Sequence, residues 1–363
     1  MENLTNYQIA VIPGDGIGPE IVMEAVKVLE LLKTLDPSFN IEFDTFDWSS
    51  EYYLKHGKMM PEDALDTLKK YDAILFGAIG DRRVPDDVTV WELIMPIRKS
   101  FRQYINLRPV KLLKGVPSRY TGEDIDFVIV RENAEGEYSN SGGRLYSGMD
   151  QEVAVQNTII TRMGTKKVAR FAFEYAKKQG KRTVTSATKS NAIIHSMKLW
   201  DEAVNEVGKE FPSINLQSYY VDAMAAYFVS RPEEFEVVVA SNLFGDILSD
   251  LGSAVVGGLG LSPSANLNPE GDFPSMFEPV HGSAPDITGK GIANPIAQIW
   301  SAALMLEHLG RKDLATVILE SIEQVLVNKE AQTPDLGGNS TTSEMGSAIR
   351  EAIQQLLLVK EGR

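Results

Sequence analysis

The sequence predicts an α/β protein, and three observations carry that expectation. Short apolar runs alternate with stretches of helical apolar spacing along most of the chain. The length of 363 residues suits two domains or one large barrel. Apolar residues make up 43% and charged residues 24%, an ordinary balance for a globular chain.

Taken in order, residues 7–13 read as a buried strand and 20–33 as a helix, with Pro19 suited to its first turn. Residues 41–47 alternate like a strand. A short helix over 61–70 then feeds a second buried strand at 73–77. Further β-type runs fall at 127–130, 183–186, 217–221 and 237–240, with helices expected over 166–178, 196–210 and 244–256. The last third is mostly helical, at 295–309, 313–327 and 343–358. Two stretches break the alternation. Residues 140–160 are glycine-rich, then polar and β-branched, and suit a projecting β-arm. Residues 257–282, rich in Gly, Pro, Asn and Ser, read as a long loop.

Composition excludes several chemistries. With no cysteine there is no disulfide, thiolate metal site or cysteine nucleophile. The four histidines, His56, His195, His281 and His308, have no metal-ligand spacing. A net charge of −14 argues against nucleic acid as a partner, because phosphate binding needs a basic footprint. An anionic substrate would need arginine and lysine concentrated in its pocket against that field. No stretch approaches the roughly 18 apolar residues of a membrane span, and the polar start lacks a signal-type pattern, so a cytoplasmic location is expected.

The run Gly14-Asp15-Gly16-Ile17-Gly18 joins a strand to a helix. It could cradle a phosphate or be a tight turn, and its G-x-G-x-G spacing is not the dinucleotide fingerprint. Asp246 and Asp250 are four residues apart on an expected helix and share a face. They read either as a solvated acidic face or, because Leu243, Phe244, Ile247, Leu248 and Leu251 surround them, as oxygen ligands for Mg²⁺ or Mn²⁺. Arg98, Arg102 and Arg108 lie within eleven residues, and Arg131 opens a further acidic and aromatic run ending at Tyr138. Guanidinium forks grip carboxylates, although Arg102 reads better as a surface ion pair. Lys189, at a strand end, is either a surface lysine or a base of lowered pKa.

Together these stretches resemble the β-decarboxylating dehydrogenases, the family of isopropylmalate, isocitrate and tartrate/D-malate dehydrogenases. The likeness runs nearly end to end. It covers the Ile12 to Glu20 run, Arg98 to Pro109, Arg131 to Tyr138, Lys189-Ser190-Asn191, Val221 to Met224, Asn242 to Asp250 and Phe277 to Ile287. It implies a non-Rossmann, isopropylmalate-dehydrogenase-like two-domain fold with a mixed sheet. The first, mainly NAD-binding domain would hold 1–107 and 259–363. The second, 108–258, would carry the dimer interface, the metal-binding helix and an arm near 140–160 that clasps a second subunit.

The same resemblance assigns roles. Arg98, Arg108 and Arg131 hold substrate carboxylates. Asp246 and Asp250, with Asp222 from a second copy, bind Mn²⁺ or Mg²⁺; K⁺ is a further candidate. Lys189 from the second copy takes the hydroxyl proton, and Tyr138 returns a proton after decarboxylation. Glu278, His281, Gly282, Ser283, Ala284, Asp286, Ile287 and Asn294 line the NAD site, with Asn191 near the nicotinamide. Asp286 would accept from ribose hydroxyls and repel a 2′-phosphate, so NAD is expected over NADP. Substrate choice rests on the segment before Arg98, where Trp91, Ile94 and Met95 stand at the specificity positions. A tryptophan there fills the pocket for the C3 substituent and favours a small acid.

The tartrate/D-malate branch matches further at Phe46 to Trp48, Tyr52-Tyr53, His56 to Pro61 and Ser264 to Glu270. Some tartrate-type members lack an arginine at the Arg98 position, so its presence favours D-malate. The expectation is therefore oxidative decarboxylation of D-malate to pyruvate and CO₂, with tartrate second. The alternatives are 3-isopropylmalate dehydrogenase of leucine biosynthesis and an inactive NAD-binding scaffold.

Overall fold

The computed structural model describes residues 5–120 and 124–360. Twelve strands run through the described residues in chain order. They are β1 (Thr5–Gly14), β2 (Phe39–Thr45), β3 (Ala73–Ala78), β4 (Ile105–Lys111), β5 (Asp126–Glu132), β6 (Gly142–Leu145), β7 (Val153–Gln156), β8 (Thr183–Thr188), β9 (Asn215–Tyr220), β10 (Val237–Ala240), β11 (Pro263–Leu267) and β12 (Ser275–Pro279). The chain divides into two compact units. One spans Met1–Arg102, Leu112–Thr121 and Val256–Arg363; the other spans Gln103–Lys111 and Gly122–Val255.

In the first unit the strand order is β2-β1-β3-β12-β11. All pairs are parallel except β11 with β12, which makes this part of the sheet mixed. Every residue of β3 is buried, as expected of a parallel strand covered on both faces. One face carries the core of Ile12, Trp48, Ile74, Phe76, Ile97 and Phe101. Helix Ile296–His308 is buried almost all round, a central position that its polar face alone would not permit. Gly14 adopts φ 70°, and a Cβ there would lie 1.9 Å from the Ala78 carbonyl oxygen, so only glycine permits the turn.

The expected loop over 257–282 is corrected: it contains β11 and β12, both buried throughout. Their Ser and Asn side chains are internal and satisfied. Asn266 Nδ2 donates to Glu278 Oε1 at 2.7 Å, the Asn268 amide donates to Ser275 Oγ at 3.1 Å, and Asn268 Nδ2 donates to the Phe101 carbonyl at 2.9 Å. Polar residues that find buried partners can occupy a central strand. Pro263 stands at the first residue of its strand, where a missing N–H costs least.

In the second unit the order is β4-β5-β10-β8-β9, with β4 and β5 antiparallel and the others parallel. Helices Arg162–Lys178, Ser196–Gly208, Val221–Ser230 and Asn242–Val255 belong to this unit. The 140–160 stretch forms an antiparallel ribbon, β6 with β7, exposed at every strand residue.

Candidate active site

The helix Asn242–Val255 organises the chemistry of the second unit. Its positions 242, 246 and 249/250 recur at helical spacing and turn one polar stripe toward β4 and β5. Arg108 on β4 and Arg131 on β5 meet that stripe, and both are nearly buried. Arg131 donates through Nε and Nη2 to Asn242 Oδ1 at 3.0 and 2.7 Å, while its Nη1 is bonded to Asp246 Oδ1. Arg108 Nη1 donates to Ser249 Oγ at 2.6 Å and to Asp246 Oδ1 at 3.2 Å, and stands 3.8 Å from Asp250 Oδ1. Tyr138 Oη donates to the other Asp246 oxygen at 3.0 Å.

Close approach of helix and strand makes this network possible. A Cβ on Gly245 would fall 2.7 Å from Arg131 Cβ and Cγ. Burial, and then the charge of Asp246, push the Tyr138 phenol up, so it keeps its proton at neutral pH. Burial likewise pushes the Asp250 carboxyl up; Arg108 opposes the shift and Asp246 reinforces it. Ile247, expected to shield the pair, is instead 58% exposed, because the helix turns it away from the sheet. Among the described residues no three His, Asp or Glu side chains converge in metal-binding geometry. The two aspartates nevertheless fit a divalent cation: they offer oxygen donors only, share one helix face, and Asp250 keeps 57% of its side chain exposed.

Lys189 and Asp222 form a second pair in this unit. Lys189 follows β8 and donates to Asp222 Oδ1 at 2.5 Å, in the first turn of the helix Val221–Ser230. The Lys189 hydrogen bond holds the Asp222 carboxyl below its usual range. Asn191, two residues on, is exposed.

The remaining expected residues lie in the first unit. Arg98 Nη2 donates to Glu278 Oε1 at 2.6 Å, and both side chains are largely buried. Trp91 is half-buried on a π-turn, Val90–Ile94, with Lys99 Nζ 4.6 Å from its ring centroid. That turn has a cause. Pro96 has no N–H to give the preceding turn, and the Met95 amide reaches back five residues to the Val90 carbonyl. Ile94, 8% exposed, packs into the core. Arg102 is the expected surface ion pair, bonded to Asp272.

Of the proposed NAD-site residues, His281, Ala284, Ile287 and Asn294 line a cavity of about 270 Å³ with Ile17 and Asp335. Asn294 Nδ2 donates to Asp335 Oδ2 at 3.0 Å, and its Oδ1 accepts the Ile296 amide at the start of helix Ile296–His308. Burial holds the His281 imidazole below its usual pKa. Asp286 is paired with Arg82 at 2.6 Å. For the glycine loop, the tight-turn alternative describes the contacts: Gly16 abuts the Ser283 carbonyl, and Asp15 accepts from the Ser50 amide, the Ser50 hydroxyl and the Gly80 amide. Sequence reasoning missed Asn242, Ser249, Asp335 and Arg82. The first two were readable from their spacing to Asp246, whereas the others meet their partners only through the fold.

The comparisons agree over nearly the whole chain. Residues 8–349 match the family model described as isocitrate/isopropylmalate dehydrogenase. A probable tartrate dehydrogenase/decarboxylase of Bacillus subtilis is 49% identical over 355 residues, covering 97% of this chain and 99% of that protein. A decarboxylating D-malate dehydrogenase of Escherichia coli K12 is 49% identical over 360 residues, covering 96% and 99%. Among solved structures, an isocitrate dehydrogenase from Methylococcus capsulatus superposes with a TM-score of 0.88 at 36% identity, covering 96% of this chain and all of that one. With an α/β fold of mixed strand pairing and an arginine–aspartate–tyrosine centre, the chain belongs to the isocitrate/isopropylmalate dehydrogenase family.

Proposed function

We propose that this protein is an NAD-dependent decarboxylating dehydrogenase of D-malate, yielding pyruvate and CO₂, with tartrate as a second substrate. The observation that carries the reading is the cluster of Arg108, Arg131, Tyr138, Asp246 and Asp250. In a chain of net charge −14, two nearly buried guanidinium groups, with a divalent cation on the aspartates they face, would supply the local positive field that a dianion needs. The names of the tartrate and D-malate relatives support the small dicarboxylate.

In this reading Arg98, Arg108 and Arg131 hold the substrate carboxylates. Asp246 and Asp250, with Asp222 of a second copy, would hold Mn²⁺ or Mg²⁺. A cation held there would supply Lewis acidity toward the substrate carboxylate and hydroxyl, and NAD⁺ in its site would supply the acceptor for the C2 hydride. Lys189 of the second copy, beside its Asp222, would help take the proton of the C2 hydroxyl. Breaking the bond between C3 and the departing carboxylate releases CO₂, and Tyr138 Oη delivers a proton to C3. Its hydrogen bond to Asp246 orients that hydroxyl, and its raised pKa keeps it protonated until then. The exposed apolar side chains of the ribbon, Leu145, Val153 and Val155, together with nearby Ile159, suit the homodimer that a shared site requires.

The test is NADH formation with NAD⁺, Mn²⁺ and K⁺, comparing D-malate, L-malate, meso- and L-tartrate, 3-isopropylmalate and isocitrate. D-Malate is expected to give the highest kcat/KM. A preference for 3-isopropylmalate would overturn the role given to Trp91. Silence on every substrate with NAD⁺ still bound would leave an inactive scaffold.

A further inference from the structure

Arg82 and Asp286 are 204 positions apart in the chain, yet Nη2 of one lies 2.6 Å from Oδ1 of the other. Both side chains are exposed, at 76% and 85%, so this contact alone holds nothing together. The backbones beneath them are fixed by other means. The Gly80 amide donates to the buried Asp15 carboxylate at 2.9 Å, and the Ile17 amide donates to the Ser283 carbonyl at 2.9 Å. The two loops are thereby tied to the same glycine turn. Between them opens a cleft of about 660 Å³ lined by Asp81, Arg82, Asp86, Ser283, Ala284 and Pro285, with Asp286 next in the chain after the last of these. Neighbouring Arg83 is engaged by Asp81 and Glu51, which leaves Arg82 as the guanidinium facing Asp286.

We propose that Arg82 is a second determinant of cofactor choice, offsetting the Asp286 charge so that the ribose subsite rejects a 2′-phosphate less strongly. This rests on the assignment of Asp286 to the adenosine ribose. A lone carboxylate there accepts from the two ribose hydroxyls and repels a phosphate. With Arg82 on Oδ1, the other oxygen still accepts from a ribose hydroxyl, while the guanidinium offers a fork to a phosphate at the 2′ position. Because the pair is exposed and weak, Arg82 can leave Asp286 for the phosphate at little cost. The subsite thus discriminates against NADP less strongly than Asp286 would by itself.

The experiment measures equilibrium binding of ADP-ribose and of 2′-phospho-ADP-ribose by calorimetry, so the readout is independent of turnover. Wild type, Arg82→Ala and Asp286→Asn are compared through the ratio of the two Kd values, phosphorylated over unphosphorylated. The ratio should rise about tenfold in R82A, the loss of roughly one charge-assisted phosphate contact. It should fall in D286N. A ratio unchanged within about twofold in R82A, with D286N still shifted, would overturn the role of Arg82 and leave the ribose assignment standing. Failure of wild type to bind ADP-ribose, or a D286N ratio equal to wild type, would overturn the ribose assignment and this proposal with it.

Discussion

Two arginine–aspartate contacts in this molecule use the same functional groups and have opposite physical characters. In the second unit Arg131 is 4% exposed and satisfied on three nitrogens by Asn242 and Asp246. In the first unit Arg82 is 76% exposed and bonded to Asp286 through one nitrogen. A buried charge must be fully paired, because its desolvation is costly and any missing partner leaves that cost uncompensated. An exposed charge keeps its water and can exchange partners freely. The first arrangement suits a group that must hold one geometry through a reaction. The second suits a group that reads what arrives.

The largest expected effect comes from breaking the buried contact. Arg131→Met leaves Asn242 Oδ1 without its guanidinium donors and Asp246 with Arg108 and Tyr138, and should destabilise the protein by about 3 kcal/mol. This is the lower end for a broken buried pair, because Asp246 is one-third exposed and can rehydrate. If Arg131 grips a substrate carboxylate as proposed, the variant should also lower kcat/KM for D-malate by about 10³-fold. Thermal unfolding and steady-state kinetics read the two effects independently. A variant that unfolds like wild type would show that Arg131 is not integral to the network. Normal kcat/KM would remove it from the substrate reading.

The same contrast explains what the sequence could and could not reveal. Asp246 and Asp250 were visible because helical periodicity places them on one face beside apolar neighbours, a local property of nine residues from Asn242 to Asp250. The strand at 237–240 and the helix ending at Lys178 were legible in the same way. The strands β11 and β12 were not, because Ser264, Asn266, Asn268 and Ser275 look like loop residues until a buried partner is supplied from elsewhere in the fold. Arg82 posed the same difficulty: nothing within its own segment points to Asp286. The family motifs located Asp286 but were silent on the guanidinium beside it.

A middle-sized effect should appear at Glu132, next to Arg131. This side chain accepts the Ala134 and Glu135 amides, yet burial dominates and lifts its carboxyl from 4.5 to about 7. The folded protein therefore retains a proton there that the unfolded chain has released. The stability contributed by this group falls as pH rises from about 4.5 to about 7. Glu132→Gln is neutral throughout, so its stability relative to wild type should improve across that window by about 1–3 kcal/mol. Melting temperatures of both proteins at the two ends of the window test this. A difference that does not move with pH would mean that Glu132 ionises normally in the folded state.

The smallest stability effect belongs to the exposed contact and sharpens the comparison most. Arg82→Ala should change unfolding free energy by no more than about 0.5 kcal/mol, since both partners are already hydrated and their loops are anchored through Asp15 and Ser283. If Arg82 serves recognition, this near-silence in melting must accompany a clear change in the binding ratio of phosphorylated to unphosphorylated ADP-ribose. A destabilisation as large as that of R131M would instead make Arg82 part of the scaffold. The distinction between a paired charge that holds the fold and one that reads a ligand would then fail for this protein.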